Sequence, residues 1–514
     1  MIRDKGEAVN GKTKACFHGR LAGALVAALL CAAPLGGVLE RSARAFDAAT
    51  THAGLTQQAV VRSHLHRILG RRLARPLGLF DPIALHAELI PETERGLLQE
   101  RLFALDPAGG YRPGQDGVAS ALAWTVAGSV IAKSSPGRMR NFFLDPSTGA
   151  GLRDDAAVEG TLHAVRQVVD GGDLRDVMTG ASFPFEGEPS VKWLEAPEND
   201  VGLRAFRDAM ERAVADPDPA QRSSSLARAL LALGGSLAVL EDAGNPAAVR
   251  NDFRGSYLRG ASSAPFDRRS SFEHAVAELY GTSGVPAPRA AVQRDNVAAF
   301  FSAADGQGLA DRTQRRFFSD GTVPEDGVVD RDTSAADIVK AARASLTYAL
   351  PAIPRLELRE LGVRHYVTVS DGAGTRPRRV LAYERVPGRV RFFLDGAVYL
   401  DTARALLPEI AGYAAGFVDH VLRGEIQLEL DGDRVRAVVS GPAGKVRGGQ
   451  LRIFAEDASG RRREIGVFPS DGAGIDTASV ALPAGTRRAA AVLRGSDDAG
   501  PLVAFGELAT PTTR

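Results

Sequence analysis

The sequence predicts a multidomain α+β protein: a mostly α-helical domain with a small β insertion, followed by a C-terminal antiparallel β-sandwich. Three observations predict it. A chain of 514 residues is longer than one hydrophobic core usually serves. Apolar residues recur at helical spacing through the first half. After Gly424 the texture changes to short alternating runs separated by turn residues.

Taken in chain order, residues 1–45 stand apart. Arg3, Lys5, Lys12, Lys14 and Arg20 precede an uncharged, mostly apolar run, Leu21–Leu39, and Ala43-Arg44-Ala45 supplies a small-x-small cleavage site. That order predicts a signal peptide and a secreted or periplasmic protein. An uncleaved anchor is the rival, because the apolar run can just span a bilayer. Pro34, Gly36, Gly37 and the cleavage triplet favour removal, and Leu30 before Cys31 argues against a lipid-modified cysteine. Both cysteines, Cys16 and Cys31, fall in this segment, so the processed chain would hold no disulfide, thiolate metal site or cysteine nucleophile. Removing it leaves 56 basic against 59 acidic residues, a net charge near −3. A nucleic-acid partner gains no support from that balance.

From Thr51 to about Tyr280 the pattern is helical. Leu55, Ala59, Val60 and Ile68 follow helical spacing, as do Leu226, Ala229, Leu230, Leu233, Leu237 and Leu240. Gly/Pro/Asp clusters at 105–116, 145–151 and 181–190 mark loops. Runs at 366–369, 379–383 and 390–394, separated by glycine-containing turns, predict a hairpin or meander within an insertion of about 355–398. A further helix follows from about Thr402 to Leu422, with Leu406, Leu407, Ile410, Tyr413 and Phe417 on one face. Segments near 426–430, 435–439, 450–455, 463–468, 477–482, 488–494 and 502–507 give seven short strands, the texture of an immunoglobulin-sized sandwich over 425–514.

The stretch Leu233–Phe253 carries the most information. Asp242, Pro246 and the tail Arg250-Asn251-Asp252-Phe253 resemble the helix and loop of the zinc-dependent phospholipases C, a mostly helical family related to the zinc-type single-strand nucleases. Other segments then resemble that family in register: Phe46 directly after the cleavage point, Thr51-His52 with Thr56, Trp124 through Gly128, Asn141 through Pro146, and Arg269 through Glu273. Gly308 to Ser319 and Leu406 to Gly424 also look like its bacterial branch. The resemblance spans most of 46–424.

What the resemblance implies about metal is uneven. It assigns one zinc to the positions of Lys133, Phe142, Ala238 and Asp242, and a second to Ala248, Arg269 and Glu273. Zinc takes imidazole nitrogen or carboxylate oxygen at roughly 2 Å, so five of these positions (133, 142, 238, 248 and 269) are degenerate and both sites should be empty. Two replacements are cations. Lys133 is expected to face Asp242, and Arg269 to face Glu273, each standing where a metal would sit and compensating a carboxylate that is costly to bury alone. The family's third site uses the mature N-terminal amine with an early histidine and the shared aspartate. Phe46, His52 and Asp242 keep that set, which could hold a single exchangeable zinc; the plainer alternative is that His52 only hydrogen-bonds Asp242.

Other chemistry is sparse. His64, His66, His86, His163, His274, His365 and His420 are scattered and read as surface or satisfied core residues, and no serine-hydrolase elbow, His-Glu-x-x-His helix, phosphate loop or dinucleotide fingerprint is present. Three functions stay open. The first is a non-catalytic exported scaffold or binding module, with a phospholipid or another envelope component as its partner. The second is a phosphodiester hydrolase with a remodelled one-zinc site. The third is an adhesin-like protein working through the C-terminal sandwich.

Overall fold

Helix formation is strongest where Asp218 accepts a hydrogen bond from the Ala220 amide and Pro219 sits at the first helical position, starting a long Ala/Leu-rich segment. In the computed structural model this helix runs Pro219–Asp242, and nearly every side chain beyond Ser224 is buried. It is long and apolar enough to cross a membrane by length and composition, yet most of it lies inside the protein as a core helix. The structure describes residues 48–85, 117–133, 136–153, 186–252, 271–282, 289–323, 327–328, 356–361, 364–370, 377–386, 389–470 and 474–510. The segment expected to be a signal peptide lies outside them, as do Phe46 and Arg269.

The longer helices, numbered in chain order, are α1 (Ala53–Arg62), α2 (Leu65–Arg72), α3 (Ala121–Ile131), α4 (Leu203–Ala215), α5 (Pro219–Asp242), α6 (Ser271–Thr282), α7 (Leu309–Arg316) and α8 (Gly396–Val421). Helix α5 packs on α3, α4 and α8, and α8 also packs on α1 and α6. The α3–α5 crossing is unusually close. A Cβ added at Gly128 would lie 2.0 Å from the Leu231 carbonyl oxygen, and one at Gly234 would lie 1.7 Å from the Thr125 carbonyl oxygen. Each helix presents a glycine to the other's backbone. A two-stranded ribbon, β1 (Pro82–Leu85) with β2 (Gly117–Ser120), leads into α3, whose first turn is capped by Ser120 at 3.1 Å from the Ala123 amide.

The β insertion is larger than the pattern predicts. It is a five-stranded antiparallel sheet in the order β3-β7-β6-β5-β4, built from β3 (Gly327–Val328), β4 (Leu356–Leu361), β5 (Arg364–Val369), β6 (Arg378–Val386) and β7 (Arg389–Phe393). Strand β4, Leu-Glu-Leu-Arg-Glu-Leu, reads equally well as helix, and β3 is too short to show a period. Asp395 ties this sheet to α8: it caps the Ala397 and Val398 amides at 3.0 Å each and accepts from the Tyr366 hydroxyl at 2.9 Å. Helix α8 therefore starts at Gly396, ahead of the expected Thr402.

All seven expected C-terminal strands form: β8 (Glu425–Asp431), β9 (Arg434–Ser440), β10 (Gln450–Glu456), β11 (Arg462–Pro469), β12 (Thr477–Ala481), β13 (Arg488–Asp497) and β14 (Gly500–Ala509). They do not make two separate sheets. One hydrogen-bonded sheet runs β11-β10-β13-β14-β8-β9-β12, antiparallel except where β14 meets β8 at Phe505–Glu425. It curls until its edge strands face each other, with the Gly466 Cβ position 3.5 Å from Val480 Cβ. Alternation marks the inward side chains equally in a sandwich and in a curled sheet, so the pattern could not separate them.

The sheet also packs against the helices. Leu451, Ile453, Ala489, Ala491, Leu493, Leu502 and Ala504 fill its interior, while the alternate residues Phe454, Ala490, Val492, Val503 and Phe505 join the helical core. Strand β13 is consequently buried on both faces, and its Ala-Ala-Ala-Val-Leu run is continuous rather than alternating. Polar ties reinforce the seam: Arg462 donates to the Val214 carbonyl at 2.6 Å, Arg222 pairs with Glu456 at 3.2 Å, and Arg423 pairs with Asp497 at 2.8 Å.

Two predictions follow from this packing. Gly234→Ala should destabilise the protein by about 1–3 kcal/mol, because the new methyl meets backbone that cannot swing aside; urea unfolding of both proteins measures the difference. A fragment of residues 425–510 alone would expose Phe454, Val492, Val503 and Phe505, so it should bind a hydrophobic dye and self-associate on gel filtration.

Candidate functional site

The candidate site lies where the C-terminal ends of α3 and α5 meet the start of α1. Because Gly128 and Gly234 let the two helices touch, Lys133, just past the end of α3, reaches across to the last turn of α5. Its ammonium donates to Asp242 Oδ2, and both side chains are fully buried. The ring of Phe142 lies beneath the same ammonium, 4.3 Å from Nζ to the ring centroid, a cation–π contact in a dry setting.

His52, at the start of α1, sits between two carboxylates. Its Nδ1 is 2.5 Å from Glu241 Oε2, and its Nε2 is 3.3 Å from Asp242 Oδ1. Thr56, one turn further along α1, donates to Glu241 Oε1 at 2.8 Å. On the far side, Asn245 donates to Glu273 Oε1 at 2.8 Å. Glu273 lies in the first turn of α6, where a carboxylate faces the positive end of the helix dipole.

The expected positions come together only in part. Lys133, Phe142, Asp242 and His52 form one contact set. Ala238 lies one turn before Asp242, fully buried and apolar. Ala248 is also buried, and its carbonyl accepts from the Leu144 amide at 3.2 Å, holding the 141–146 loop against the 245–250 loop. Glu273 meets Asn245, while its expected partner Arg269 lies outside the described residues. Two residues of the cluster, Glu241 and Asn245, escape a motif-based reading, whereas Thr56 belongs to the Thr51-His52 motif and shares a helix face with His52 at i, i+4. The signal for Glu241 was faint but present, since it directly precedes Asp242.

Electrostatics favour a charged network over a neutral one at its centre. Burial by itself would raise the Asp242 carboxyl; the Lys133 charge and the His52 contact outweigh it and hold Asp242 below the usual carboxylate range. Burial would likewise lower the His52 imidazole, but the bonds to Asp242 and Glu241 raise it above its ordinary value. The Lys133 ammonium is lowered by burial, which Asp242 only partly offsets. Burial raises Glu241, with His52 opposing it.

In this cluster the side chains that could meet a zinc face one another. One oxygen of Asp242 holds the Lys133 ammonium and the other faces His52, whose second nitrogen is bonded to Glu241. No group of three or more His, Cys, Asp or Glu side chains able to hold a metal ion occurs among the described residues. Phe46, the remaining member of the N-terminal set, lies outside them.

His86 and His163 lie outside the described residues, and His64, His66 and His420 are dispersed. His64 precedes α2 and contacts Asp419 at 3.1 Å, whereas His66 lies edge-on to Phe80 at 6.4 Å, so the two diverge. His420 is packed against Phe300, and burial lowers its imidazole to about 4. Asp457 in a C-terminal turn accepts from the Ser459 amide at 2.8 Å and the Arg461 amide at 3.1 Å, which accounts for its place there.

No family model matches the chain, and no curated protein matches it. Among solved structures it is similar to the alpha-toxin of an avian strain of Clostridium perfringens, at 11% identity, covering 89% of this chain and 91% of that one with a TM-score of 0.25. The alpha toxin from Clostridium absonum gives 10% identity, 91% and 96% coverage, and a TM-score of 0.24. Pectate lyase PelI from Erwinia chrysanthemi gives 16% identity over 16% of this chain, with a TM-score of 0.12; the chain spans 27% of that protein's length. TM-scores of this size do not establish a shared fold.

Two outcomes test the network. Lys133→Met leaves Asp242 with less compensation and should cost about 3–5 kcal/mol of stability, with part of the loss recovered by adding Asp242→Leu; unfolding of the two variants checks this. The His52 imidazole, raised on folding, contributes stability that is fully present below its unfolded pKa near 6.5 and lost as pH rises through its folded value. Urea midpoints should therefore fall on the alkaline side of pH 6.5, and His52→Asn should flatten that fall.

Proposed function

We propose that this is an exported, non-catalytic protein built on a phospholipase C-like helical frame and serving as a scaffold or binding module. The observation that carries the reading is the Lys133 ammonium on Asp242. It stands on the carboxylate that the motif resemblance assigns to two metals, over the Phe142 ring and with no exposed charged group. A catalytic zinc must keep an open coordination position for water or substrate. Here one Asp242 oxygen holds the Lys133 ammonium, the other lies 3.3 Å from His52 Nε2, and no solvent reaches either.

The test uses protein beginning at Phe46, the expected processed terminus. Metal content after purification, zinc titration by calorimetry, and hydrolysis of p-nitrophenyl phosphorylcholine with and without chelator should show less than stoichiometric zinc and no chelator-sensitive turnover. One tightly bound zinc per chain together with such turnover would overturn the proposal. Lys133→Glu adds a discriminating arm. It restores an acidic residue at that position but crowds buried carboxylates, so it should be destabilised, and zinc should not rescue it.

A further inference from the structure

We infer that the turn joining α2 to β1 is a docking surface for membranes rich in anionic lipid. This inference does not rest on the proposed function; it rests on a surface far simpler than the buried cluster. Large apolar side chains are seldom left projecting without a role when several do so together. Here Phe80 is 63% exposed and Leu77 57% exposed, one residue triplet apart on the tight turn Gly78–Phe80. Pro82 and Val118 extend the stripe on the outward face of the β1–β2 ribbon, opposite the buried Ile83 and Leu85.

The position of the turn is fixed. The Leu79 amide donates to His66 Nδ1 at 3.3 Å, the Gly78 amide donates to the Arg75 carbonyl at 2.9 Å, and Phe80 lies edge-on to His66. Gly78 has a positive φ of 56°, and a Cβ there would come within 2.6 Å of the His66 ring, so the turn closes tightly on α2. The apolar pair is thus held out by a rigid base.

Charge identifies the occupant. Arg67 and Arg71 lie on the exposed side of α2, one turn apart and beside His66, and Arg62 ends α1 just before it. None of the three makes an ion pair within 4 Å among the described residues, although Arg67 shares a groove with Asp419 and feels its charge. The only acidic residue in 48–85 is Asp81, which is buried, pairs with Arg75 at 3.5 Å and accepts from the Leu77 amide. A nearly neutral chain therefore carries exposed arginines on and just before the helix that anchors its projecting aromatic and aliphatic side chains. Two projecting side chains are too small a footprint for a stable protein interface, which needs roughly 800 Å² per partner. They suit the headgroup boundary of a bilayer, where Phe and Leu enter and arginines meet lipid phosphates.

The test is sedimentation with vesicles of phosphatidylcholine alone and of equal phosphatidylcholine and phosphatidylglycerol, using protein that begins at Phe46 and so retains every described residue. Binding is expected only to the phosphatidylglycerol vesicles and should weaken with salt. Leu77→Ala/Phe80→Ala and Arg67→Ala/Arg71→Ala should each lose roughly tenfold or more in affinity, with unchanged circular dichroism because all four side chains are exposed. Equal binding to both vesicle types, no binding to either, or full binding by either double variant would overturn the inference. Retention on immobilised heparin without vesicle binding would do so as well, pointing to a soluble polyanion instead.

Discussion

The separation between α3 and α5 governs most of what the helical half can do. Two helices normally keep their axes 8–10 Å apart because side chains fill the gap. At Gly128 and Gly234 there is no side chain on either partner, and backbone meets backbone. The polar residues around this crossing are satisfied within their own helices: Thr125 donates to the Ala121 carbonyl, Ser129 to Val126 and Ser236 to Ala232, all at 2.8–2.9 Å. Nothing at the crossing asks for water or a cross-helix bridge. The closeness then lets one lysine, leaving the end of α3, reach a carboxylate on the last turn of α5.

The network at that end is expensive to assemble and hard to loosen. A lysine, a histidine and three carboxylates come out of water together, and their mutual attraction must offset the loss of hydration. Its surroundings are correspondingly fastened. Gln314 on α7 donates to Asp145 at 2.8 Å and to the Val249 carbonyl at 3.0 Å, while Arg250 donates to the Phe317 carbonyl at 2.7 Å. The loops bearing Phe142 and Ala248 are pinned to each other and to α7. The polar side chains of the cluster, His52, Lys133, Glu241, Asp242 and Glu273, are all buried.

The sequence made helix, insertion and sheet legible where local pattern determines them. Helix α5 and the seven C-terminal strands follow from periodicity and turn residues, and the Lys133–Asp242 pairing follows from charge complementarity at two aligned positions. What was illegible depends on partners distant in sequence. Strand β4 looks helical until β5 pairs with it. Closure of the sheet hangs on β14 meeting β8, some eighty residues apart in the chain. Glu241 lay in plain view beside Asp242, but its importance appears only when α1 brings His52 within 2.5 Å from 189 residues away.

The curled sheet restricts how its surface can recognise anything. Strand addition, in which an extended peptide lengthens a sheet, needs an edge with free amide and carbonyl groups and room beside it. With β11 and β12 facing each other across Gly466 and Val480, that room is taken. The outward face of β10, β13 and β14 is given to the helices, and the inward face of the sheet to the interior core. Recognition by this half of the molecule is therefore a matter of its connecting loops and exposed strand side chains, with specificity set by side-chain chemistry and not by main-chain pairing.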